Sequence, residues 1–145
     1  MMNIQITKLR PSAVLPEYQT DHAAASDLHA DITEPMILKP HEYRAIPTGI
    51  AIALPVGYEA QIRGRSGLAM KRGISVVHGV GTIDADYRGE LNVLLINHGH
   101  EDFIVTPQMR IAQMIISKCE RAVWQEVGEL DETARGAGGF GSTGE

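Results

Sequence analysis

Apolar and polar residues alternate along most of this chain. Ile4 and Ile6 near the start, and Ile50, Ile52 and Leu54 between Gly49 and Pro55, recur with a period of two. That is the period of a strand, whose successive side chains point to opposite faces. The runs Leu91–Ile96 and Ile111–Ile116 are more continuously apolar, as expected of strands covered on both faces or lying at a subunit contact. Breakers fall at Pro40-His41-Glu42, Pro55-Val56-Gly57, Asn97-His98-Gly99 and Pro107-Gln108. Strands punctuated at this spacing predict an antiparallel sandwich or barrel. One segment departs from the pattern. Ser66–Gly73 has helix formers in the middle and a glycine stop, which predicts a helix of about two turns with Ser66 as its N-cap. From about Gly128 the alternation ends, so 1–127 reads as one β domain and 128–145 as a flexible C-terminal arm.

Composition narrows the class. The 145 residues suit one domain, long enough to bury roughly 70% of the unfolded surface, and 43% hydrophobic with 21% charged residues is ordinary for a soluble protein. No apolar run approaches membrane-spanning length, and the start, Met-Met-Asn-Ile-Gln, lacks the basic region of a signal peptide. A cytoplasmic protein without a membrane partner is expected. A single cysteine, Cys119, rules out an internal disulfide or a multi-cysteine metal site. The net charge of −5 argues against a nucleic acid partner, which calls for a basic face. It leaves room for a single nucleotide, because a triphosphate needs only a few converging donors and a divalent cation.

The last eleven residues, Arg135-Gly-Ala-Gly-Gly-Phe-Gly-Ser-Thr-Gly-Glu145, hold five glycines and cannot build a core element. Glycine at that density serves where main-chain amides must closely approach a polyanion. Arg135 adds a fork for phosphate oxygens, Ser142 and Thr143 add hydroxyl donors, and Phe140 offers a flat face to stack on a base. The tail reads as a lid over a nucleotide. Four further polar clusters stand in the chain: Ser26-Asp27, Arg65-Ser66-Gly67, Gly81-Thr-Ile-Asp-Ala-Asp-Tyr-Arg-Gly-Glu90, and Arg110-Ile-Ala-Gln113. Each alone is equally well a turn, a cap or a surface charge.

Together, in order and spacing, these five clusters resemble the five motifs of the trimeric dUTPases over essentially the whole chain. The resemblance implies an all-β, jelly-roll-like antiparallel barrel or sandwich with one short helix and an extended arm. It also implies hydrolysis of dUTP to dUMP and pyrophosphate, which keeps uracil out of DNA and supplies dUMP for thymidylate synthesis. In such an enzyme Asp84 would take the proton of the water attacking the α-phosphorus. Asp86 competes for the role, since strand-like alternation would put it on the same face. Ser66 would donate near the α–β bridge, with Arg65 and the Gly67 turn bracing the phosphates. The hairpin around His78, Gly79, Gly81 and Gly89 would hold uracil through main-chain groups. Tyr87 would pack on the deoxyribose and exclude a 2′-hydroxyl. Asp27 and Gln113 would approach Mg²⁺ through waters, while Arg135, Phe140, Gly141, Ser142 and Thr143 would close over the substrate. A homotrimer with shared sites follows from the same resemblance, one subunit giving motifs one, two and four, a second motif three, and a third its tail. Fully extended, residues 128–145 reach up to roughly 60 Å, enough to cross to a neighbour.

Two positions depart from many relatives, which carry Asn in place of His78 and Gly in place of Gln108. Rival readings fare worse. A dCTP deaminase shares the fold but needs a glutamate five residues after Gly89, where this chain has Leu94. A non-catalytic nucleotide-sensing trimer would be expected to lose Asp84, Ser66 or the tail, and all are present. A P-loop NTPase needs a lysine after the glycines. His98-Gly-His100 has same-face strand spacing but no third ligand.

Overall fold

A computed structural model describes residues 2–140, so Gly141, Ser142 and Thr143 of the expected lid lie outside the described residues. The alternation produces strands where it is read: β1 (Gln5–Lys8), β2 (Ser26–His29), β3 (Met36–Leu38), β4 (Tyr43–Pro47), β5 (Ile50–Ala53) and β6 (Tyr58–Arg63) precede the helix α1 (Ser66–Arg72). After it come β7 (Ile74–Val76), β8 (Val80–Ile83), β9 (Asn92–Asn97), β10 (Phe103–Val105) and β11 (Arg110–Lys118). Among the described residues they pair, always antiparallel, as β2-β11-β6-β8, β4-β9-β7, β1-β5 and β10-β3. This is the all-β architecture with a single short helix that the pattern predicts. The two larger sheets bury one face each against a shared core that includes Leu28, Ile62, Ile46, Val93, Leu95 and Ile111.

Continuity of apolar residues in β9 has a structural reason. Val93, Leu95 and Asn97 point inward and are buried, whereas Leu94 is 36% exposed and lies opposite Ala45, next to the Tyr43–Ile96 pair in which Tyr43 is 66% exposed. Half of the apolar run fills the core, and the other half forms an outer apolar face that this chain leaves uncovered.

The helix starts differently from the expectation. Its N-cap is Arg65, in extended conformation and without a side-chain capping bond, and Ser66 is the first helical residue. The Arg65 carbonyl accepts from the amides of Leu68 and Ala69, while the Arg65 guanidinium is held elsewhere, on Asp27 and the Arg110 carbonyl. The arginine's tertiary contacts override the capping preference of serine, and Ser66 is left exposed in the first turn. The glycine stop is as read: Gly73 takes φ 66° and its amide bonds to the Ala69 carbonyl. A Cβ there would come within 2.7 Å of the Gly99 nitrogen, so α1 is seated directly against the β9–β10 turn.

The glycine-to-glutamine departure also has a conformational consequence. Gln108 adopts φ 60°, the left-handed region that costs a side-chain-bearing residue about 1–2 kcal/mol and glycine almost nothing. Its own side chain makes only a long contact, 3.5 Å to the Ser12 carbonyl. Gln108→Gly is therefore expected to stabilise the protein by up to about 1 kcal/mol. Urea unfolding checks this, and a lowered midpoint with unchanged slope would contradict it.

Candidate active site

Three of the sequence clusters meet at one end of the β2-β11-β6-β8 sheet. β11 lies between β2 and β6, and Gln113 stands in register with Asp27 on one side and Arg63 on the other. A bulge between Arg110 and Ala112 turns the start of β11 so that both Arg110 and Gln113 serve this corner. Asp27 is only 7% exposed, a burial that an unpaired carboxylate would not tolerate. Two guanidiniums compensate: Arg65 Nε at 3.2 Å on one oxygen and Arg110 Nη1 at 3.0 Å on the other. Arg65 also donates to the Arg110 carbonyl at 3.1 Å. The Gln113 amide donates to the Gly64 carbonyl at 2.8 Å, which fixes the β6–α1 turn carrying Arg65, Ser66 and Gly67. The result is a corner with two arginines 28% and 43% exposed at the side chain, beside an exposed serine hydroxyl. It is suited to a phosphate chain.

The same corner passes a test for a hydrated divalent cation. Among the described residues no group of three or more His, Cys, Asp or Glu is placed to cage a metal. Mg²⁺ does not require one, since it keeps several waters and takes its remaining ligands largely from phosphates. Among the described residues the Gln113 amide oxygen accepts no side-chain hydrogen bond, and the Asp27 carboxylate keeps lone pairs beyond the two its arginines use.

The hairpin cluster is split. β8 pairs with β6 so that Val80 faces Arg63 and Ile83 faces Ala60. The turn at His78 and Gly79 thus sits at the Arg63 end, and Asp84 follows Ile83 at the other end. The four residues from Ala60 to Arg63 span roughly 10 Å, and Ser66 and Asp84 lie beyond opposite ends of them. Gly79 has φ 77° and closes its turn by an amide bond to the Val76 carbonyl. A Cβ on Gly81 would lie 3.1 Å from His78 Nε2 and 3.3 Å from Ile62 Cβ, so the imidazole rests on the glycine.

Asp84 and Asp86 do not continue the strand. The Tyr87 amide bonds to the Asp84 carbonyl, making residues 84–87 a turn, and the alternation that would put both carboxylates on one face does not apply there. Both are exposed. Tyr87 folds back over Gly89, where a Cβ would lie 2.4 Å from the tyrosine oxygen, and its hydroxyl donates to the Glu90 carbonyl at 2.9 Å.

The arm carries no strand or helix from Cys119 to Phe140. Arg135 Nε bonds to the Gly138 carbonyl at 2.8 Å, and Phe140 is fully exposed. Val123 and Trp124 are also more than nine-tenths exposed. Neither Arg135 nor Phe140 reaches the corner formed by Asp27, Arg65 and Gln113 of its own chain.

Sequence reasoning missed one group of residues. Arg10, in the segment after β1, bridges the buried Asp31 and the Glu90 carboxylate that follows the hairpin. The bonds that Arg10 donates to Glu90 and Asp31 hold its pKa well above the ordinary arginine value, and the Arg10 bond holds Glu90 below the ordinary glutamate value. Burial pushes Asp31 up, but the Ser12 hydroxyl and Arg10 together bring it below its usual range. Sequence spacings of 21 and 80 residues leave no local pattern by which the triad could be found.

Comparison with known proteins gives one consistent answer. The dUTPase family model matches residues 12–144. A deoxyuridine 5'-triphosphate nucleotidohydrolase of Rickettsia felis is 59% identical over 142 residues, covering 97% of this chain and 96% of its own. One of Orientia tsutsugamushi is 56% identical over 140 residues, covering 97% and 95%. Among solved structures, the Staphylococcus bacteriophage 80alpha dUTPase with dUpNHpp superposes at a TM-score of 0.90 with 25% identity, covering all of both chains. A mutant dUTPase of phage phi11 of S. aureus, described for its coordination of a structural Mg(II) ion, superposes at 0.80 with 22% identity, covering 88% of this chain and 98% of its own.

Proposed function

The chain belongs to the dUTPase family, and on that premise we propose that it hydrolyses dUTP to dUMP and pyrophosphate in a site shared between subunits of a homotrimer. The corner of one buried carboxylate and two arginines at the start of β11 supports this reading. Asp27 is held between Arg65 and Arg110, with Gln113 and Ser66 beside it, and it lies more than roughly 10 Å of strand away from the Asp84 of the same chain. A general base must come within about 3 Å of the water it activates. The corner of one chain is therefore completed by the hairpin of another, and the uncovered face of β9 and the exposed Val123 and Trp124 of the arm supply apolar surface for such contacts.

In the assembled site Arg65 and Arg110 hold the triphosphate, and the Ser66 hydroxyl donates to the oxygen that gains charge as pyrophosphate leaves. Asp84 of a neighbouring subunit accepts the proton of the attacking water. Bound Mg²⁺, reached through water by Asp27 and Gln113, would offset phosphate charge and align the chain of phosphates. The hairpin at His78–Gly81 receives uracil, Tyr87 covers the deoxyribose, and Arg135, Phe140 and the residues after it close the site. The reaction removes uracil from the DNA precursor pool, and its product dUMP serves thymidylate synthesis. We place the enzyme in the cytoplasm; among the described residues no helix is long and apolar enough to cross a membrane.

The test is incubation with each deoxynucleoside triphosphate, and with UTP, in the presence of Mg²⁺. Pyrophosphate is expected from dUTP, with UTP a poor substrate because Tyr87 fills the space of a 2′-hydroxyl. Orthophosphate as the product, or no preference for dUTP, would contradict the reading.

A further inference from the structure

The Arg10–Asp31–Glu90 triad lies outside every residue assigned above, yet it is anchored to the turn that carries Tyr87. The connection is short. The Tyr87 hydroxyl donates to the Glu90 main-chain carbonyl at 2.9 Å, and the ring lies so close over Gly89 that any side chain there would collide with it. The position of the Glu90 backbone is in turn fixed by its side chain, which accepts from the Gly49 amide at 2.8 Å and from both terminal nitrogens of Arg10. Arg10 is fixed by Asp31, whose side chain is only 4% exposed. Gly49 has no freedom to move away: it sits at φ 70°, and a Cβ there would lie 2.2 Å from the Asp31 carboxylate. Beyond Glu90 the chain enters the core at Leu91, fully buried and bonded through its amide to the Ile50 carbonyl. Tyr87 thus hangs from a turn pinned at one end by an ion triad and by a buried strand.

We propose that Glu90, through Arg10 and Asp31, is a positioning residue for sugar discrimination, holding the Tyr87 ring where it excludes a ribose. The inference rests on the reading of Tyr87 as the deoxyribose contact. Charge-assisted bonds to a multidentate guanidinium are directional and short, so they locate the Glu90 carbonyl more tightly than a solvated loop would. A steric gate depends on that location, because a ring free to shift by an ångström admits one extra oxygen atom.

The experiment compares kcat/KM for dUTP and UTP in the wild type, in Glu90→Ala and in Glu90→Gln. Trimer mass and melting temperature are followed for each. Glu90→Ala removes the carboxylate but keeps the carbonyl that binds Tyr87, and the dUTP/UTP ratio is expected to fall roughly tenfold, mainly through a lower KM for UTP. Glu90→Gln keeps an acceptor for Gly49 and loses the ion pair, so it should fall between the two and remains informative if the alanine variant does not fold. Leu38→Ala, a core truncation in β3, which pairs with β10 and with none of the strands flanking the triad, should lower the melting temperature and leave the ratio alone. A ratio equal to wild type in both Glu90 variants, with dUTP still preferred by the wild type, overturns this inference and leaves the proposed function standing. A wild type that does not distinguish the two nucleotides overturns both.

Discussion

A chain ending at Thr133 is expected to fold and assemble as the full-length protein does and to lose at least roughly 100-fold in turnover. Every strand among the described residues ends by Lys118, and the buried core draws its last residue from Met114, with Ile116 packed against it. The hydrogen bonds of residues 134–140 run only among themselves and to Thr133 within the described chain. Their removal therefore costs the fold little. The same residues include Arg135 and Phe140, which make no contact with the corner of their own chain and are free to serve another. On the roles proposed for these two residues, the γ-phosphate would lose a guanidinium and the uracil its cover, so the loss is expected in kcat as well as in binding. Size-exclusion mass, circular dichroism and steady-state kinetics check the three parts. A truncated protein with near-normal kcat would remove the tail from the mechanism, and one that fails to assemble would give it a structural role instead.

Asp84→Asn is the second change expected to have a large effect. Asparagine keeps the size of the carboxylate and its place in the turn, where the Asp84 carbonyl accepts from the Tyr87 amide, but it cannot take a proton. Turnover should fall at least roughly 100-fold, the lower end of what a general base contributes, while dUTP still binds in the presence of Mg²⁺. Asp86→Asn should be mild. Because residues 84–87 form a turn, the strand alternation that would align the two carboxylates is absent, and neither is expected to substitute for the other. The pair of variants separates the roles: a damaged Asp86→Asn beside a mild Asp84→Asn would reverse the assignment.

The sequence was most readable where a local rule acts without competition. Alternation located β1 and β5, continuous apolar runs located β9 and β11, and Gly73 ends the helix in the left-handed conformation that its position requires. Readings failed where tertiary contacts intervened. Ser66 looks like a cap, but Arg65 takes that place because its side chain is tied to Asp27. Asp84 and Asp86 look like strand neighbours, but the chain turns immediately after Ile83. The convergence of Asp27, Arg65, Arg110 and Gln113 became visible as motifs only through family resemblance, since register between β2, β6 and β11 is a non-local property. The Arg10 triad left no trace in the sequence for the same reason.

If one working dUTP-hydrolysing site is built from several chains, two inactive variants complement each other when mixed. The chain ending at Thr133 supplies Asp84 without a tail, and full-length Asp84→Asn supplies the tail without the base. After subunit exchange, some mixed trimers hold a site that draws its Asp84 and its tail from different subunits, both intact, and dUTP hydrolysis is expected to return in proportion to the mixed species. Mixtures as inactive as both parents, with exchange confirmed by native mass spectrometry, would show that each site is built within one chain.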